Sequence, residues 1–261
     1  MLSKNYKHHD HLLDTCRRRK GSAFKTFLYC AGLVPLALGL ALLVYCLAVV
    51  VKARRDTPGI IQAALAAEKI TLTPADLPRK RVDQLLKVED PGFLEHKGVD
   101  LKTPGAGITT ITQALVKIFY FAEFKPGFAK LRQTLIARYA LDRLVSKQDQ
   151  LTLFLSYAYL GNCKGAPMRG FTAAAQCYYN KKFHRLKDDE YLSLVALLIA
   201  PDTFSPVANP QANKDRVERI KKLLSGEYVP SGLMDVYYGP LDPYTQTALA
   251  PASYFPSLYE N

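Results

Sequence analysis

Glu89-Asp90-Pro91-Gly92-Phe93-Leu94-Glu95-His96-Lys97-Gly98-Val99-Asp100 is followed, after a Pro/Gly break, by Gly107-Ile108-Thr109-Thr110-Ile111-Thr112-Gln113-Ala114-Leu115-Val116-Lys117. The first run places carboxylates and a histidine at the end of a helix. The second opens a new helix with a glycine and three threonines, and it sets Gln113 and Lys117 four residues apart on one face. That arrangement suits a site where one carboxylate takes a proton while polar groups hold an anionic leaving group.

Outward from this stretch the signals are mainly helical. Thr73-Pro74-Ala75-Asp76 reads as an N-cap with proline at the first helical position, which predicts a helix over 74–86. Pro104, Gly105 and Gly107 make 102–107 a loop. Apolar periodicity predicts helices over 108–121, 130–144, 148–160, 172–179, 188–199 and 214–224. Asp188, Asp189 and Glu190 complement the dipole of the helix they begin, and Pro201 follows its end. Strand signals are few and no internal repeat is evident. Phe119, Tyr120, Phe121, Phe124 and Phe128 crowd a segment interrupted by Pro126-Gly127. That crowding reads either as a mobile segment at a membrane interface or as the end of a core helix.

Upstream, residues 27–51 carry no charge and are almost wholly apolar. A helix of about 20 such residues spans a hydrocarbon core. A cleaved signal peptide is the alternative, but its apolar region is shorter and ends in small residues; this one ends in Lys52-Ala53-Arg54-Arg55. Arg17, Arg18, Arg19, Lys20 and Lys25 precede the span, so the Lys/Arg bias puts the N-terminus in the cytoplasm and the body outside it. In a bacterium that is the periplasm or the outer face of the plasma membrane. The expected organisation is a basic tail (1–26), an anchor (27–51), a stalk (52–81), a domain (82–226) and a Tyr/Pro-rich tail (227–261) free of Lys and Arg.

The 261 residues suffice for one anchor and one domain of ordinary size. A net charge of +12 calls for an anionic partner. No nucleic-acid motif is present, so the membrane and phosphorylated lipids remain. Cys163 and Cys177 would face an oxidising compartment, joined or as two free thiols. No CxxC pair points to zinc, and no protein metal site is expected.

These residues resemble glycosyltransferase family 51, the peptidoglycan glycosyltransferases. The family's first motif, E-D-x-x-F-x-x-H-x-G-x-D, is matched by Glu89, Asp90, Phe93, His96, Gly98 and Asp100. Its second, G-x-S-T-I-T-Q-Q-L-x-K, is matched by Gly107, Thr110, Ile111, Thr112, Gln113, Leu115 and Lys117, with Thr109 for serine and Ala114 for the second glutamine. Ser146-Lys147, Tyr159-Leu160-Gly161, Arg169-Gly170-Phe171, and Asn209-Pro210 with Arg216 resemble later segments in the family's order, over roughly 82–224. The third motif, R-K-x-x-E, departs: Lys130-Leu131-Arg132-Gln133-Thr134 stands there, with Gln133 or Thr134 at the position of the second acid. Thr152 and Ser156 replace a glutamate and an asparagine of the fourth. The size is similar to that of monofunctional members, and no SxxK, SxN and KTG set marks a transpeptidase.

The resemblance implies a mainly α protein: a single N-terminal transmembrane helix followed by a lysozyme-like all-α glycosyltransferase domain. It implies that Glu89 is the general base for polymerising lipid II, a disaccharide-peptide on undecaprenyl pyrophosphate. Asp90, His96, Thr109, Thr110, Gln113, Lys117, Lys125, Lys130 and Arg216 are the implied substrate and pyrophosphate ligands. A divalent cation, Mg or Mn, is implied at the diphosphate, with no organic cofactor. The implied partners are the lipid-linked saccharide, the growing glycan, the membrane and other cell-wall synthesis proteins. Loss of the second acid keeps a pseudoenzyme open, a membrane-anchored lipid II-binding scaffold. A lysozyme-like lytic enzyme is a third reading, weakened because cleaving glycan needs no pyrophosphate cradle.

Overall fold

The computed structural model describes residues 4–125 and 127–249, with side chains from residue 32 onward except those of 244 and 248. Side chains of the basic tail (1–26), Pro126 and residues 250–261 of the C-terminal tail lie outside the described residues. Contacts divide the chain into two units, Met1–Ala48 and Val49–Asn261.

Helix α1 (Lys4–Ala66) runs through both units. Its segment Gly32–Ala66 is, among the described residues, the helix long and apolar enough to cross a membrane, and its most apolar window is not buried within the protein. Leu36, Leu38, Leu40 and Leu43 are all exposed. From Val49 on the helix belongs to the second unit. There Ala53, Ile61 and Ala64 are buried in the core, and the Thr57 and Tyr120 hydroxyls share a 2.6 Å hydrogen bond. The stalk expected over 52–81 is therefore corrected. Its small and β-branched residues pack on the domain instead of spacing it from the membrane.

The helix expected over 74–86 is also redrawn. A 3-10 turn (Pro74–Asp76) is closed by Asp76 accepting from the Thr73 amide and hydroxyl, both at 2.7 Å. Helix α2 (Arg79–Glu89) then starts afresh at Pro78, which has no N–H to continue a ladder. Next come α3 (Ile111–Tyr120) and α4 (Phe128–Ile136). The helix expected over 130–144 is present, with a π turn (Ala137–Leu141) in its middle that joins α4 to the short α5 (Asp142–Leu144).

Helix α6 (Lys147–Tyr157) is capped by Ser146, whose hydroxyl accepts from the Asp149 amide at 3.0 Å. It ends earlier than its apolar pattern suggests. Residues 159–169 instead form a hairpin, β1 (Tyr159–Cys163) with β2 (Ala166–Arg169), antiparallel with Cys163 opposite Ala166. The turn residues Lys164 and Gly165 both have positive φ, 54° and 80°, as a two-residue primed turn requires. Helices α7 (Phe171–Tyr179), α8 (Asp188–Leu197), α9 (Pro210–Ser225) and α10 (Pro243–Ala248) complete the chain. A disulfide joins Cys163 of the hairpin to Cys177 of α7, resolving the alternative the sequence leaves open.

The core explains why α6 and α8 read as uniformly apolar. Every residue of 150–156 and of 191–197 is buried, so these two helices are wrapped on all sides. Helix α3 shows the amphipathic case, burying Ile111, Leu115 and Val116. The aromatic segment after it folds inward. Phe121 and Phe124 are buried and meet edge to face with centroids 5.2 Å apart, and Phe119 packs against Tyr157. Of the five rings only Phe128 is strongly exposed, so the core reading holds for most of the segment.

Candidate active site

The end of α2 and the start of α3 are held together by the residues of the first two motifs. Asp90 is 1% exposed, and its Oδ2 accepts from the Ile111 amide at 2.9 Å, at the first residue of α3. His96 Nδ1 accepts from the Gly98 amide (3.0 Å), which leaves the ring proton on Nε2, 2.9 and 3.0 Å from the two Asp90 oxygens. Thr110 and Gln113 form a reciprocal capping box on α3, each side chain accepting from the other's amide at 3.1 Å. The Thr110 hydroxyl also donates to the Gly98 carbonyl (2.9 Å). Gly98 is required there: at φ 83°, a β-carbon would lie 2.5 Å from the Ala137 carbonyl that begins the π turn. Asp100 is partly desolvated, but the Thr103 hydroxyl and the Lys102 and Thr103 amides outweigh burial and hold its carboxyl below the ordinary range. Asp90, His96, Thr110 and Gln113, expected among the substrate ligands, are thus occupied in bracing the motif loop.

Glu89 lines a cavity at the end of α2. The space is about 410 Å³ and is also lined by Thr109, Ala114, Lys117, Val195, Leu198, Arg216, Met234 and Val236. Burial in this wall, aided by the neighbouring Asp90 charge, pushes the Glu89 carboxyl up to about 8, against the pull of Arg216 and Lys117. Lys117 is half-buried, and desolvation lowers its ammonium despite Glu89. Its Nζ lies 4.9 Å from the Phe124 ring centroid. Arg216 is 2% exposed, and its Nε and Nη1 have no hydrogen-bond partner among the described residues. Burial brings its guanidinium down to about 10, opposed by Tyr238. A buried guanidinium with unmet donors, beside a carboxyl that is mostly protonated at neutral pH, makes a receptor for an anion.

Lys130 of α4 reaches back to this rim. Its Nζ donates to the Ile108 carbonyl (3.0 Å) and the Thr109 hydroxyl (3.2 Å). Burial, then the nearby Lys117 charge, lowers it to about 8. Lys125 is brought elsewhere; it is exposed and 2.8 Å from Glu123. The two candidates for the missing acid separate clearly. Gln133 is fully buried, donating to the Gln113 carbonyl at 2.7 Å, whereas Thr134 is half-exposed and accepts from Gln113 Nε2 at 3.3 Å. The position that can present a side chain outward is 134. Ser156 lines a different groove with Arg169, and Thr152 bonds to the Gln148 carbonyl.

The transglycosylase family matches this chain over residues 102–225. The chain carries a transglycosylase domain. It is 30% identical over 165 residues to penicillin-binding protein 1F of Bacillus subtilis, covering 58% of this chain and 22% of that one. It is 30% identical over 166 residues to penicillin-binding protein 1A of Pseudomonas aeruginosa (57% and 20%), and 31% identical over 154 residues to that of Neisseria flavescens (54% and 19%). The chain spans about a fifth of the length of these curated relatives.

Within the transglycosylase domain, among the described residues, no group of three or more His, Cys, Asp or Glu could hold a metal ion. Among the described residues Glu89 is the single carboxylate on the cavity wall, and Asp90 is turned onto His96 and Ile111. The residues present do not fit a divalent cation held by protein side chains alone. Sequence reasoning missed Met234, Val236 and Tyr238, which wall the cavity or brace Arg216 from beyond the matched span. The sequence marked this segment only by the absence of Lys and Arg after Glu227, which leaves open whether it is packed or loose.

Proposed function

We propose that this protein is a membrane-anchored peptidoglycan glycosyltransferase that polymerises lipid II, with Glu89 as general base. The observation that carries the reading is the shared cavity of Glu89, Lys117 and Arg216. Glu89 accepts the proton of the acceptor sugar's 4-hydroxyl. The oxygen attacks the donor's anomeric carbon with inversion, the bond from that carbon to the diphosphate oxygen breaks, and undecaprenyl pyrophosphate leaves. A positioned base supplies about 10²–10⁴-fold, and each preorganised donor to the departing charge about 10²–10³-fold. Arg216, Lys117, Lys130 and Thr109 are the donors within or at the rim of the cavity.

The apolar helix supports anchoring, since a polyprenyl substrate stays at the bilayer. The Cys163–Cys177 disulfide and the basic residues ahead of the span support a domain outside the cytoplasm. The deciding experiment is polymerisation of labelled lipid II by detergent-solubilised protein, wild type beside Glu89→Gln. Polymer from the wild type and none from the variant is the expected result. No polymer from either, with lipid II still retained, would instead support the scaffold reading that the missing second acid motivates.

A further inference from the structure

Beyond α9 the chain turns back after Gly226 and crosses the domain as a strap over 228–239, outside the span matched by the transglycosylase family. Its backbone is bonded to the loop ahead of α3. Gly105 N–H donates to the Gly232 carbonyl (2.9 Å) and Gly107 N–H to that of Leu233 (2.8 Å). The contact is close: a β-carbon on Gly105, at φ 77°, would lie 2.9 Å from Pro230 Cγ and 3.3 Å from Tyr238 Cε1. Asp235 knots the strap internally, accepting from the Tyr228 hydroxyl (2.7 Å) and the Ser231 amide (3.0 Å). Met234 and Val236 then line the Glu89 cavity.

Tyr238 is the residue on which the strap converges. It is 3% exposed and has φ 58°, a left-handed conformation that an aromatic residue keeps only where its surroundings hold it. Its hydroxyl donates to the carbonyl of Val88, the residue before Glu89, at 2.7 Å. Its ring lies 4.5 Å from the Arg216 guanidinium carbon. One side chain therefore touches both the backbone that carries the carboxyl and the cation with two unmet donors.

We propose that Tyr238 is a positioning residue that sets Glu89 and Arg216 relative to each other for a diphosphate-linked substrate. The proposal rests on the transferase reading. The ring orients the guanidinium, and the hydroxyl fixes the end of α2. The hydroxyl also hydrogen-bonds the guanidinium, so the ring is the part of the contact with Arg216 that a phenylalanine would keep. Tyr238→Phe keeps the ring over Arg216 and drops the hydroxyl's bonds to Val88 and Arg216, while Tyr238→Leu loses ring and hydroxyl together.

The test uses full-length protein in detergent, with inorganic pyrophosphate as the binding probe by calorimetry and lipid II polymerisation as the rate assay. Tyr238→Leu is expected to weaken pyrophosphate binding about tenfold. Tyr238→Phe is expected to bind pyrophosphate within about threefold of wild type yet lose about tenfold in kcat, with little change in KM. A merely structural role would lower both quantities together with the folded fraction, which circular dichroism measures. Unchanged pyrophosphate binding in a folded Tyr238→Leu protein overturns the proposal, as does a wild type that does not bind pyrophosphate. If the wild type makes no polymer but its pyrophosphate binding falls in Tyr238→Leu and survives in Tyr238→Phe, the transferase reading fails and the positioning of Arg216 stands.

Discussion

Replacing Glu89 with glutamine should remove the proposed base and make the protein more stable. The carboxyl is held at about 8 against an ordinary 4.5. A group whose folded-state value is raised in this way loses stability as pH climbs from 4.5 towards 8, because the unfolded chain releases a proton that the folded chain keeps. Linkage between those values gives a ceiling of about 3 kcal/mol at pH 7. Glu89 is still partly exposed to its cavity, and water there relieves some of the penalty, so we expect a gain of about 1–2 kcal/mol in Glu89→Gln. For a domain of this size that is roughly 2–8 °C in Tm. Thermal unfolding of both proteins in the same detergent at pH 5 and pH 8 is the assay. The gap should be small at pH 5 and widen at pH 8, while polymerisation is lost at both. A gap that is independent of pH, or a variant less stable than wild type, would refute the account of a carboxyl strained by desolvation.

Three further outcomes follow from the same geometry. Thr134→Glu should raise the polymerisation rate by about tenfold or more if position 134 is the vacated acid site, whereas Gln133→Glu should cost about 2–4 kcal/mol by burying a carboxylate against the Gln113 carbonyl; rate assays and chemical denaturation distinguish the two. The pH–rate profile should peak near pH 8, since Glu89 must be ionised and Lys130 protonated and each changes state at about 8; in Lys130→Arg the alkaline limb should move upward. Cys163→Ser should lower stability by about 3 kcal/mol, the contribution typical of a short closed loop, and reductant should shift the Tm of wild type but not of the variant.

The sequence made the α-rich class legible because α3 and α9 carry clear helical periodicity and caps, and because the first motif keeps its spacing. Residue type and spacing alone do not separate Glu89 from its motif neighbours; only the family resemblance singled it out as the base. Glu89 and Asp90 are adjacent acids, and only the turn at the end of α2 sends one to the cavity and the other to the Ile111 amide. The same limit hid the hairpin, where a run apolar enough for a helix is interrupted by Gly161 and turned at Lys164-Gly165. The choice between Gln133 and Thr134 needed the face that α4 buries, which a one-residue shift in alignment leaves undefined. Tyr238 was invisible because its partners, Val88 and Arg216, lie far away along the chain and meet only when the strap is laid down.

The link between Cys163 and Cys177 also bears on when the protein matures. It ties the only hairpin among the described residues to the helix that follows it, so the last covalent bond of the fold can form only after the chain meets an oxidant. Newly made chains held in a reducing compartment would carry the helices without the clasp and remain the more easily unfolded and degraded form. Completion of the fold would thereby be timed by the chain's first encounter with an oxidising environment, and an assay on protein prepared under reducing conditions would examine an unfinished molecule.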